Sequence, residues 1–193
     1  MLVDILRQLN WVDIFVLTLL FRMVYIAMKS ELSMEAFKFI GTVAAIYLSL
    51  HYYTTISDFL RQRFATEKMP LEFLDFVLCL FLAILSYAFF VLWRIVLQRF
   101  IKMEAATNLN RVGGLVVGLA RGVLVTGLIM FMLVISSFGY LKNSVNASYL
   151  GKRFFGIAPA TYSWLWNSVA SKFMSKEKFN QTVTEVQEGF FKK

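Results

Sequence analysis

Asn110-Arg111-Val112-Gly113-Gly114-Leu115-Val116-Val117-Gly118-Leu119-Ala120-Arg121-Gly122 opens a stretch that continues to Leu141, and everything after Gly122 in it lacks a formal charge. Gly114, Gly118 and Gly122 recur every four residues, so on a helix they share one face. Each neighbouring pair is a G-x-x-x-G, the spacing that lets two membrane helices meet backbone to backbone, in the manner of a glycine zipper. Arg111 and Arg121 sit at the edge of the same apolar run and inside it. They are ten residues apart, about 15 Å of helix rise, and within about 80° of one another around the axis. An apolar span, a glycine face and two arginines together describe a membrane helix packed in a partly polar interior.

The rest of the composition agrees. Of 193 residues, 59% are hydrophobic, and the mean hydropathy is +0.64. That exceeds the roughly 45–50% apolar content of soluble domains, and a small soluble core cannot absorb the excess. The net charge is +8 with a charged fraction of only 17%. On so apolar a chain this reads as loops in contact with anionic lipid headgroups. No basic cluster on a polar domain points to nucleic acid. One cysteine, Cys79, excludes an internal disulfide, and a single Cys with a single His, His51, argues against a zinc site.

Three further spans precede the opening stretch. The first runs Trp11–Met28, with Asn10 placed to cap it and Trp11 suited to the interface belt. The second covers about residues 34–58. Its hydroxyls and rings (Thr42, Tyr47, Ser49, His51, Tyr52, Tyr53) make it the most polar of the four, which predicts an interior helix. The third covers about Leu71–Phe100. Pro70 stands at its start, Glu72 and Asp75 suit its N-terminal dipole, and eighteen uncharged residues run from Phe76 to Trp93. The expected fold is therefore all-α and integral to the membrane: four transmembrane helices over residues 1–141, then an interfacial amphipathic segment over 142–193. That segment mixes lysines with aromatics, so Trp164 and Trp166 anchor it to the headgroup layer; its last residues form a helical or frayed tail.

A buried arginine in a membrane costs a few kcal/mol unless paired. Asp13, Glu35 and Asp75 are the candidate carboxylates. Asp13 is the first choice for Arg121, with Glu35 competing for Arg111; Arg22 and Lys38 read as snorkelling or loop-proximal cations. The glycine face serves either packing within one chain or a homo-oligomer, and spacing does not separate the two. No Gly-x-Ser-x-Gly, His-Glu-x-x-His or paired membrane aspartates appear, so no catalytic residues, metal ligands or cofactor sites are assigned.

Arg111, Gly114, Gly118, Arg121 and Gly122 resemble, residue by residue, the signature of the colicin V production protein (CvpA) family. Asn10-Trp11-Val12-Asp13 is similar to the opening of that family, Arg22 falls where it carries an Arg-Gly, and Glu35 with Gly41 fits the start of its second helix. Asn110 replaces the usual Asp, and the turn at Lys29–Glu31 lacks the family's glycines. The resemblance implies a non-enzymatic bacterial inner-membrane protein that supports colicin V export or envelope homeostasis through membrane-protein partners, with both termini in the periplasm. Counting lysines and arginines in the loops leaves orientation open. A rival reading is an oligomeric channel or transporter subunit that uses Arg121 and the polar second helix as its path.

Overall fold

The computed structural model of the chain describes residues 10–64, 70–100 and 107–192. Among the described residues every regular element is a helix. Four are long and apolar enough to cross a membrane: α1 (Trp11–Met28), α2 (Leu32–Phe64), α3 (Leu71–Phe100) and α4 (Thr107–Ile135). Shorter helices follow: α5 (Gly139–Ala147), α6 (Tyr149–Phe155), α7 (Ile157–Leu165), a π-helical turn at Trp166–Ala170, α8 (Ser171–Phe173) and α9 (Gln181–Phe191). The protein is an all-α, multi-pass membrane protein.

The central helix is α4, with 61% of its membrane window buried, against 33% for α2 and 17% for α3. The polar helix α2, expected in the interior, is second to α4 in burial. The polar side chains of α2 are used differently: Thr42 Oγ1 donates to Lys38 O, and Ser49 Oγ donates to Ala45 O, each within its own helix. Its ring-bearing end turns towards the C-terminal segment.

The glycines explain why α4 is central. Helices α1 and α4 run antiparallel, and Gly114 faces Ser30, Gly118 faces Ala27 and Gly122 faces Met23. A methyl group on Gly114 would lie 2.9 Å from the Ser30 carbonyl oxygen, and one on Gly118 would overlap the Ala27 methyl. Contact at this range needs hydrogen as the side chain. Further along α4, Gly127 gives Ile157 and Phe154 the same close access, so the C-terminal segment seats directly on this helix.

That seat changes the reading of residues 142–193. Val145, Phe155, Ala158, Tyr162, Val183 and Phe190 belong to one hydrophobic core with Val12, Leu50 and Phe131 of the bundle. Phe155 stacks on Phe131 at 5.9 Å and meets Phe190 at 4.2 Å. The segment folds back as a cap on the end of the bundle where α1 begins and α4 ends. Pro159 is tolerated because it lies in the first turn of α7. Of the helical or frayed tail expected at the end of the chain, the structure has the helix, α9, capped by Asn180 Oδ1 on the Thr182 N–H and holding Val183 and Phe190 inward. The fourth helix also stops at Ile135 rather than Leu141, at a Ser136-Ser137-Phe138 break.

Candidate functional site

Two polar constellations stand out, one near each end of the bundle. The first forms below the α1–α2 turn. Glu35 lies in the first turns of α2 and is fully buried; Arg121, on the glycine-lined part of α4, is 4% exposed. The guanidinium NH2 comes 3.1 Å from Glu35 Oε2. Lys38 Nζ donates to Glu35 Oε1 at 2.6 Å and to Ser30 Oγ at 3.3 Å. Arg121 NH1 donates a longer contact, 3.4 Å, to the Tyr87 hydroxyl of α3. Two cations thus share one carboxylate, which leaves the cluster one positive charge in excess. Arg121 Nε has no hydrogen-bond partner among the described residues.

Arg121 also forms part of the wall of a cavity of about 370 Å3 between α3 and α4, with Ala45 of α2, Ala83 and Ile84 of α3 and Leu128 of α4 among its apolar neighbours. The cavity exists because α3 packs mainly on α2 and only lightly on α4.

The second constellation ties the cap to α2. His51 stacks between Tyr47, at 5.2 Å, and Trp166, at 5.3 Å. Its Nδ1 lies 2.9 Å from the Tyr162 hydroxyl and its Nε2 lies 2.5 Å from Glu177 Oε2. The Tyr162 oxygen already accepts the Asn180 N–H at 2.9 Å. Burial, with smaller contributions from Tyr47 and Glu177, pushes the Tyr162 phenol up to about 12 against the opposing Asn180 N–H. The phenol is therefore protonated at neutral pH and donates to Nδ1. That leaves the Nε2 hydrogen for Glu177. The Tyr52 hydroxyl donates to both Glu177 oxygens, at 2.8 and 2.9 Å. The Tyr52 bond first, and His51 second, hold the Glu177 carboxyl below the usual carboxylate range. Asn180 Nδ2 completes the latch with bonds to Leu50 O and Thr54 Oγ1.

The carboxylates expected to share the arginines fall in three separate places. Glu35 faces Arg121. Asp13, the first choice for Arg121, is instead at the opposite end of α1, where it serves the cap. Its Oδ1 accepts from Ser148 Oγ at 2.7 Å and from the Leu150 N–H at 2.8 Å, while Oδ2 accepts the Asn10 N–H. The physical reason is chain direction: α1 starts where α4 ends, so its first turn meets the residues that follow α4. Asp75 lines another cavity, of about 450 Å3, beside Tyr53, Glu72, Lys142 and Glu185. Arg22 is exposed on α1. The backbone of Arg111 lies in α4, but its side chain falls outside the described residues. Trp11 stacks on Tyr140 at 6.3 Å. Trp164 is 63% exposed, whereas Trp166 is half-buried and stacks on His51.

Sequence reasoning missed Lys38 as a bridge, Tyr87, and the latch partners Tyr162, Glu177 and Asn180. Glu177 stands 126 residues from His51, and no local spacing links them. Ser148, whose hydroxyl caps α6 by accepting the Gly151 N–H, also went unassigned.

No curated protein and no solved structure matches the chain significantly. A family model described as Colicin V production protein matches residues 12–177. That match takes in all four spanning helices, the glycine-and-arginine run and the cap as far as Glu177. The chain belongs to the colicin V production protein family.

Proposed function

We propose that this protein is a non-enzymatic component of the bacterial inner membrane, with both termini in the periplasm, that supports toxin export or envelope homeostasis by docking other membrane proteins. The observation that carries this reading is the cap. It is latched to the bundle at Asp13, His51 and Leu50, yet it holds large rings outward: Phe173 is 83% exposed, Tyr140 71% and Trp164 63%. A fixed platform with exposed aromatics is what partner docking at a membrane face requires, since aromatic anchors dominate interface energetics.

The test is complementation. In cells lacking the protein, a Trp164→Ala/Phe173→Ala double variant should accumulate normally but fail to restore toxin secretion or envelope resistance. Full restoration overturns the platform reading. A periplasmic reporter fused after Lys193 should be active; a cytoplasmic signal there overturns the proposed orientation.

The second reading, an oligomeric channel or transporter subunit, draws its support from the cavity beside Arg121. The glycine face is covered by α1 in a single chain, so oligomers would need another surface. Arginine-dependent flux in liposomes, lost in Arg121→Leu, would favour this reading over the platform.

A further inference from the structure

The cavity between α3 and α4 combines features that do not ordinarily occur together. Its walls are apolar, drawn from all four spanning helices, and its volume of about 370 Å3 lies within the range of small-molecule sites, roughly 300–1,000 Å3. One end holds a guanidinium that is 4% exposed. Its Nε donor has no partner among the described residues. A buried donor without an acceptor is unfavourable, more so when charged. Among the described residues, the cluster behind it carries Arg121 and Lys38 against Glu35 alone. It therefore needs one more negative charge to be neutral.

Position narrows the ligand. Lys38 reaches Ser30 in the α1–α2 turn, and Arg121 lies seven residues, about 10 Å of helix rise, below the contact of Gly114 with Ser30. From Arg121 the cavity extends along α4 to Met132, eleven residues or about 16 Å of helix rise. That is about half of a 30 Å hydrocarbon core, long enough for an acyl chain. Its mouth opens on the face of α3, where Ile84 is 59% exposed and Ala88 is exposed as well. A molecule entering from the bilayer would meet apolar walls first and the cationic cluster last.

We infer that this cavity is a binding site for an anionic membrane lipid, with one acyl chain between α3 and α4 and the anionic headgroup on Arg121. Charge complementarity selects an anion over a zwitterion, and the apolar length selects an acyl chain over a free anion. The inference does not depend on the partner-docking reading, because the cavity opens between α3 and α4 and is not lined by the exposed rings of the cap.

The experiment is native mass spectrometry of the full chain, extracted from nanodiscs holding equal amounts of phosphatidylglycerol and phosphatidylethanolamine. Phosphatidylglycerol adducts should exceed phosphatidylethanolamine adducts by about tenfold, the discrimination that one charge-assisted contact supports. Arg121→Gln should abolish the preference. Since Arg121 also helps hold the fold, the deciding variant is Ala88→Phe, which adds bulk at the exposed mouth and leaves the ion cluster intact. It should lose the retained lipid while circular dichroism and melting stay as in the parent. Glycerol 3-phosphate, a headgroup without chains, should not displace the adduct. Equal retention of both lipids, full retention in Ala88→Phe, or displacement by glycerol 3-phosphate would each overturn the inference.

Discussion

Arg121 meets Glu35 at the seam where Gly118 lets α4 come against Ala27 of α1. The glycine and the ion pair are one device. The Cβ position of Gly118 lies 3.3 Å from Glu35 Oε2 as well as on top of the Ala27 methyl, so any side chain there pushes on both the helix seam and the carboxylate. Gly118→Ala should therefore destabilise the bundle by about 1–3 kcal/mol. It should do so although alanine gains roughly 1 kcal/mol over glycine in helix propensity. Gly139→Ala is the control: nothing lies within 4 Å of its Cβ position, and the change should stay within about 0.5 kcal/mol. Thermal melting in detergent reads both. Equal melting of the two variants would show that α1 and α4 have room to spare.

The same pair predicts strong coupling. Arg121→Leu leaves Glu35 buried with only Lys38 opposite it. Glu35→Leu strands two cations. Breaking a buried pair on one side costs about 3–5 kcal/mol, so each single variant should fold poorly. The double variant should be more stable than the sum of the singles implies, by about 1–3 kcal/mol. Additivity in denaturant titrations would mean that the 3.1 Å approach carries little energy.

These two predictions rest on residues that the sequence already singled out. Gly114, Gly118 and Gly122 were visible through local spacing, and a lone arginine inside an apolar run demands a partner wherever it lies. Which carboxylate answers it was not legible. Asp13 and Glu35 are both near helix ends, and only the antiparallel pairing of α1 with α4 decides between them. The cap was less legible still. Its composition of lysines and aromatics fits a surface-lying segment equally well, because the apolar positions that turn inward, Phe155, Tyr162 and Phe190, belong to three short helices without a common period. Its latch joins Glu177 and Asn180 to α2 across more than 120 residues. Such contacts follow from where α4 ends in space, which no window of sequence contains.

The latch should respond to pH at both extremes. Glu177 has its carboxyl lowered on folding, by the Tyr52 hydroxyl and then by His51. A lowered acid contributes stability that is present above its unfolded value, about 4.3 for glutamate, and is lost as pH falls through the folded value. Tyr162 shifts the other way, up to about 12. Its contribution is present below the unfolded value, about 10, and is lost as pH rises through the folded one. Hydrogen exchange of α9 should thus quicken below about pH 4.3 and again above about pH 10, relative to the bundle core. Glu177→Ala should remove the acid limb and leave the alkaline one. An acid limb that persists in Glu177→Ala would assign it to another carboxylate.

Asp13 offers the cleanest separation of cap from bundle. Its two oxygens accept three bonds: from Ser148 Oγ, from the Leu150 N–H and from the Asn10 N–H. Two of these hold the cap, and the third closes the first turn of α1. Asp13→Ala leaves the Leu150 N–H and the Ser148 hydroxyl facing a buried site without an acceptor, at about 1–3 kcal/mol for each orphaned group. The ion cluster at Glu35 lies at the other end of α1 and is untouched. The expected outcome is a protein whose four spans keep their protection while α6 loses it, so that protease reaches the chain between Ala147 and Gly156 in the variant and not in the parent. Asp13→Asn tests the chemistry more finely. Its amide oxygen can still take both cap bonds, which share Oδ1, but it then places an N–H2 against the Asn10 N–H that Oδ2 accepted, and it should fall between the parent and Asp13→Ala. If the asparagine variant matched the parent, shape rather than charge would be what holds the cap. If Asp13→Ala melted the spans together with the cap, the two would form a single cooperative unit through Phe131 and Phe155, and the latch at Asp13 would be a condition of the bundle itself.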